Sequence, residues 1–189
     1  MSWRLFVAAE IPAAPRHALA GAVAGLRGSV PGARWVAEEA WHVTLCFLGA
    51  TDPERVDAVA GVAREAAAAG RPVALRLAGL GAFPNERRAR VVWVGLEGAE
   101  PLGAVAAALA DGSARLGFPR EDRPWRPHLT IARLRVPGPV DLGPGLGIGV
   151  GLRTEEFGVT EIVLFRSHLN RSGAVYEGLG RFPLGPPGL

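Results

Sequence analysis

Short apolar runs alternate with stretches of helical spacing along the 189 residues. Arg4 to Ala9 reads as a strand, followed by a helix over about Ala14 to Arg27. There Leu19, Val23 and Leu26 recur at spacings of four and three before Gly28 stops the pattern. A short strand at Arg34 to Val36 and a stronger one at Trp41 to Leu48 come next, the latter broken by Gly49. Asp52, Pro53 and Glu54 make a helix start, with Asp as N-cap and Pro in the first turn, and Gly70 closes that helix after an alanine-rich run. Strands over Val73 to Leu80 and Ala89 to Leu96 flank a turn-prone segment from Phe83 to Arg88, and a helix from about Pro101 to Leu116 follows. Trp125 to Leu134 is a strand entered through Pro127, Val136 to Gly151 a Gly/Pro-rich surface loop, and Phe157 to His168 and Val175 to Phe182 the last strands. Gly185 to Gly188 reads as a frayed tail.

Two similar sets of elements of comparable length predict an α+β protein of two related lobes. A doubly wound sheet ranks second, because no Gly-rich phosphate fingerprint follows the first strand. The expected organisation is one two-lobed domain over residues 1–184 with a flexible tail over 185–189.

Composition narrows the class. With 49% hydrophobic and 21% charged residues the chain can bury a core, which excludes disorder and collagen-like repetition. Apolar runs are interrupted by charge well before the roughly 20 residues of a membrane span, and Glu10 interrupts what would be a secretory h-region. The chain therefore reads as cytoplasmic. Cys46 is the single cysteine, so no internal disulfide or cysteine-based metal site is possible, in keeping with a reducing compartment. All 21 basic residues are Arg, alongside abundant Ala, Gly and Pro, as a GC-rich coding bias would produce. Guanidinium also matches phosphate oxygens bidentately. A net charge of only +3 predicts no polyanion-coating surface and leaves a local phosphate pocket open.

Of four His, two share a frame: His42-Val43-Thr44-Leu45 and His128-Leu129-Thr130-Ile131. On a strand the first and third side chains share a face, so each frame sets an imidazole beside a hydroxyl while the aliphatics turn to the core. The copies lie 128 − 42 = 86 residues apart, one in each expected lobe, so a pseudo-twofold fold can face them across a cleft. One such frame would ordinarily be a satisfied structural histidine; two in matching contexts suggest chemistry. Paired imidazoles suit metal-free acid-base work on a phosphodiester, with Thr hydroxyls donating to phosphate oxygens. Glu38 and Glu39 have no fixed ligand spacing to the histidines, which disfavours a catalytic metal.

Arg34-Trp35-Val36, His42 to Gly49, Gly81 to Pro84, Pro127 to Arg133 and the closing Leu164 to Leu169 with Gly173 and Tyr176 resemble the two-histidine phosphoesterases. Within them the chain is most similar to the RNA 2′,3′-cyclic phosphodiesterases, also called 2′-5′ RNA ligases, from about residue 2 to residue 184. That resemblance implies a bilobal fold of two pseudo-twofold-related antiparallel sheets with outer helices around a central cleft, and no metal or nucleotide cofactor. It implies His42 as the acid that protonates the departing O3′, His128 as the base that activates water, and a 2′-phosphomonoester product. Thr44 and Thr130 are then phosphate-oxygen donors. Arg133 is implied as phosphate support, although its odd offset points it away from His128 in a regular strand, so the role requires a bulge or the strand's end. The implied partners are RNA ends bearing a 2′,3′-cyclic phosphate, tRNA fragments among them, with a monomeric protein and no membrane. Ligation would have an RNA 5′-hydroxyl attack the cyclic phosphate. Still open are a small cyclic nucleotide or cyclic ADP-ribose phosphate as substrate, and a non-catalytic RNA-end-binding module.

Around the motifs, Cys46 shares parity with His42 and Thr44 and is expected to edge the cleft. Trp35, Trp41, Phe47 and Trp125 are expected to pack in the core, with base stacking as the alternative. Arg87, Arg88 and Arg90 fit an RNA path or a solvated turn equally well. His17 and His168 read as surface residues.

Overall fold

The computed structural model describes residues 2–143, 152–170 and 173–185. Among these residues nine strands and three α-helices follow one another as β1 (Trp3–Glu10), α1 (Ala13–Leu26), β2 (Ala33–Trp35), β3 (His42–Thr51), α2 (Val56–Ala68), β4 (Val73–Phe83), β5 (Ala89–Glu97), α3 (Glu100–Arg115), β6 (His128–Gly138), β7 (Phe157–Val159), β8 (Glu161–Asn170) and β9 (Gly173–Pro183). The strands run in the order β7-β4-β5-β6-β3-β1-β8-β9, with β2 on β6. Every pairing among the described residues is antiparallel, so the doubly wound alternative is excluded.

Two four-stranded halves meet between β3 and β6, where the ladder is the single pair Val43 and Leu129. The cleft lies at that seam and is lined by residues of both halves. The repeat is visible in the numbering: β1-α1-β3 begins at residues 3, 13 and 42, and β5-α3-β6 at 89, 100 and 128, offsets of 86, 87 and 86.

Leu5, Val7 and Ala9 of β1 and Ile162 and Leu164 of β8 join the main core with Leu19 of α1, Ala63 of α2 and Leu109 of α3, all buried. The opposite face of the same strands carries a second cluster, Phe6, Ala8, Val163 and Phe165, with Tyr176 of β9 against it. A strand covered on both faces reads as an unbroken apolar run, which is what Leu5 to Ala9 shows.

Several boundaries differ from the sequence reading. Asp52 caps a 3-10 turn over Pro53–Arg55 by accepting from the Glu54 amide at 3.1 Å, and that turn leads into α2. The strand expected from Trp125 begins only at His128, since Pro124 and Pro127 offer no amide hydrogen to a ladder. It also continues to Gly138, so the first part of the expected loop is strand; residues 144–151 lie outside the described residues. Phe157 to His168 is not one strand, because β7 pairs with β4 and β8 with β1, at opposite ends of the order, and the chain crosses at Thr160. Gly185 is anchored by its amide to the Ala67 carbonyl at 3.0 Å, and the rest of the expected tail, 186–189, lies outside the described residues. No helix among the described residues is long and apolar enough to cross a membrane.

Candidate active site

His42 opens β3 and His128 opens β6, at the seam between the halves. Each ring is fixed in the same way: Nδ1 donates to a carbonyl two residues upstream, Ala40 for His42 and Arg126 for His128, both at 2.8 Å. A carbonyl can only accept, so Nδ1 carries the hydrogen and Nε2 of the neutral ring is left as a base. Nε2 of His42 meets the Thr44 hydroxyl at 3.1 Å. Both imidazoles, Thr44, Thr130 and Arg133 line one cleft of about 390 Å³, which brings the five expected site residues together.

Arg133 reaches the cleft through a bulge. On β6 the partner register passes from Ala132 opposite Val92 to Thr130 opposite Trp93, so Ile131 is the extra residue. Ile131 and Ala132 both turn to the core, at 0% exposure, and Arg133 falls back on the face of His128 and Thr130. β3 carries the same device, its register against β1 skipping Leu45 between Cys46 and Thr44. The two bulges are repeats of one another, since 45 + 86 = 131.

This geometry corrects two expectations. Cys46 does not edge the cleft: past the bulge it turns to the helix side, its Sγ 4.0 Å from the Ser113 hydroxyl of α3, and burial raises its thiol pKa. Phe47, the counterpart of Arg133 (47 + 86 = 133), is not a core residue but stands at the cleft, 43% exposed, with the Arg4 guanidinium 5.4 Å from its ring centre. The tryptophans behave as expected. Trp41 is buried, Trp35 packs against the core, and Trp125 donates its indole N–H to the Thr44 carbonyl at 2.9 Å, tying the approach to His128 to the strand of His42. Arg87, Arg88 and Arg90 are exposed and lie outside the cleft lining. His17 and His168 are surface residues paired with Glu38 and Glu177, at 2.6 and 2.7 Å. Glu38 faces Arg16 and His17 rather than the cleft.

Sequence reading missed Phe6, Phe165 and Arg4. The His42 ring lies 4.8 Å from Phe6 and 5.0 Å from Tyr176, the latter edge-on at 88°. Against His128 lies Phe83, edge-on at 5.0 Å. Phe6 and Phe165 were legible only as members of apolar runs with no face assigned; tertiary pairing sets both on the His42 side of the sheet, Phe6 lining the cleft and Phe165 stacked behind it at 5.3 Å.

The aromatic box has an electrostatic consequence. Burial drives the His42 pKa down to about 4, opposed by its bond to the Ala40 carbonyl and assisted by the nearby Arg133 and His128 charges. Burial also lowers the His128 pKa, opposed by the Arg126 carbonyl, with Arg133 lowering it further and Glu121 raising it. Both rings are therefore neutral in the free protein at pH 7. A histidine with a depressed native pKa binds fewer protons than the unfolded chain, whose value is about 6.5, so it costs stability as pH falls through that window. The free protein is expected to lose on the order of 2 kcal/mol from His42 alone between pH 6.5 and pH 4. Urea unfolding of the parent and of His42→Gln at pH 7 and pH 4.5 checks this, because the Gln variant should show the smaller drop. Equal drops would contradict a buried, neutral ring.

Comparison with known proteins follows the same lines. The profile of the 2′-5′ RNA ligase superfamily matches residues 15–170. A protein of Thermus thermophilus named RNA 2′,3′-cyclic phosphodiesterase is 34% identical over 190 residues, covering 96% of this chain and 90% of its own. One of the same name from Methanothermobacter thermautotrophicus is 29% identical, covering 97% and 100%. A third, from Geobacillus stearothermophilus, is 31% identical over 95% of this chain, which spans 56% of that longer relative. Among solved structures, TT0787 of Thermus thermophilus superposes with a TM-score of 0.81 at 32% identity, over 97% of this chain and 98% of that one. Escherichia coli LigT complexed with 3′-AMP gives 0.81 at 28% identity, over 97% and 99%.

Proposed function

The chain belongs to the 2′-5′ RNA ligase superfamily, and from that membership and the cleft we propose that it is an RNA 2′,3′-cyclic phosphodiesterase working by paired histidine acid-base catalysis. The observation that carries this reading is the matched pair of imidazoles, each with Nδ1 tied to a carbonyl, in one cleft with two Thr hydroxyls and a guanidinium.

The cyclic phosphate sits between the rings. Nε2 of His128 takes a proton from water as the water oxygen bonds to phosphorus, and the bond from phosphorus to O3′ breaks on the opposite side. The His42 imidazolium gives its proton to O3′, leaving a 3′-hydroxyl and a 2′-phosphomonoester. The depressed pKa of His128 keeps it available as a base at neutral pH. His42 needs a proton that its burial disfavours, and the phosphodiester anion beside the ring supplies the charge that holds it. Thr44, Thr130 and the Arg133 fork, which line the same cleft, bind the non-bridging oxygens as charge develops there. With an RNA 5′-hydroxyl in place of water, the same steps in the same direction join O5′ to phosphorus, expel O3′ and make a 2′-5′ bond. No proton step calls for a metal. The setting consistent with this substrate is cytoplasmic, and the active unit a monomer, since both histidines come from one chain.

A short RNA ending in a 2′,3′-cyclic phosphate, incubated with the purified protein in excess EDTA, is expected to acquire a 2′-phosphate end. A 3′-phosphate end, or an end unchanged while a small cyclic nucleotide is opened, would overturn the assignment.

A further inference from the structure

Arg34 of β2 and Arg133 of β6 are direct cross-strand partners. In an antiparallel ladder such partners project from the same face, and like charges set opposite one another cost stability. Among the described residues neither guanidinium has a carboxylate partner, whereas Arg16, Arg76, Arg120, Arg153, Arg166 and Arg181 all do. An unrelieved pair of cations at the mouth of a cleft is a site that an anion stabilises.

The two arginines do not reach the same place. Arg133 lines the cleft with the histidines, while Arg34 is exposed at its rim. Its Nη2 atom extends toward β9, 3.7 Å from where a Cβ on Gly173 would stand, next to Ala174 of the cleft wall. One cation thus serves the reacting centre and the other stands a strand further out, over the opening toward the opposite half.

We propose that Arg34 binds a second phosphate of the substrate, the one on O5′ of the terminal nucleotide, and so makes the protein prefer a chain end over a free cyclic nucleotide. This rests on the phosphodiesterase reading above. With the cyclic phosphate held between His42 and His128, the group on the same ribose that carries another negative charge is the 5′-phosphate linking it to the preceding residue. A guanidinium at the rim matches two of its oxygens. A nucleoside 2′,3′-cyclic phosphate with a free 5′-hydroxyl has nothing to offer Arg34.

Calorimetric affinity and kcat/KM are measured for adenosine 2′,3′-cyclic phosphate with a 5′-hydroxyl and with a 5′-phosphate, on the parent, Arg34→Ala and Arg34→Lys. His128→Ala serves as background for the binding titrations, so that the ligands survive. The parent is expected to favour the 5′-phosphate by about tenfold or more, from one charge-assisted contact, and Arg34→Ala to remove most of that ratio. Arg34→Lys should restore part of it, because charge returns without the fork. Melting of the free Arg34→Ala protein at or above the parent temperature would agree with relief of the like-charge pair. Equal affinity of the parent for both ligands, or a loss in Arg34→Ala that is the same for both, would overturn the inference, the latter by assigning Arg34 to the reacting phosphate. A binding ratio that depends on Arg34 without turnover of either compound would support the subsite and refute the phosphodiesterase reading instead.

Discussion

His42→Ala and His128→Ala are each expected to lower kcat by about 10² to 10⁴, the usual contribution of a positioned acid or base, while the protein stays folded. Folding should survive because both rings lie at the cleft rather than in the main core, and the bonds they lose are to carbonyls at the starts of strands, within reach of water. The two variants should differ in a way that mere damage would not reproduce. With both rings present the kcat profile is a bell: activity falls at low pH as the base takes up a proton, and at high pH as the acid gives one up. His128→Ala should lose the low-pH limb and keep the high one; His42→Ala should do the reverse. Initial rates of cyclic-phosphate opening from pH 4.5 to pH 9 read this directly. Retained turnover in both variants, or bells of unchanged shape, would remove the histidines from the reaction.

Arg133→Ala is expected to lower kcat/KM by about 10- to 100-fold, the value of a charge-assisted contact to phosphate. It should also move the pH profile. The Arg133 charge helps to hold both imidazoles below their ordinary pKa, so its removal raises them and shifts the limbs of the profile upward. Arg133→Lys keeps a positive charge but not the planar fork, so part of the rate should be lost with the limbs nearly in place. A loss in Arg133→Ala with no upward shift would mean that the guanidinium does not face the histidines, and the bulge at Ile131 would then need another explanation.

The bulges also show where sequence reading stops. From Arg133 alone, an odd offset from His128 on a regular strand points away from the cleft, and from Cys46 alone, an even offset from His42 points in. Both inferences fail for one reason. A bulge is set by how two strands far apart in the chain are registered against each other, and nothing in residues 128–133 or 42–47 states it locally. The single expected strand over Phe157 to His168 fails likewise, since its apolar pattern is continuous and only its two different partners divide it.

What the chain determined unaided is local. Helical spacing in Leu19, Val23 and Leu26, the Asp52 cap, strand alternation in both His-x-Thr frames and the 86-residue repeat are properties of neighbouring side chains and of numbering, and they placed His42, Thr44, His128 and Thr130 on two equivalent strands. Tertiary structure decided the rest: that β3 and β6 meet at one residue pair and leave a cleft, that Phe6, Phe165 and Tyr176 crowd one imidazole and lower its pKa, and that Arg34 comes to stand beside Arg133. Those are long-range pairings, fixed by the burial of apolar faces contributed from across the chain, and so they exist only once the whole sheet has formed.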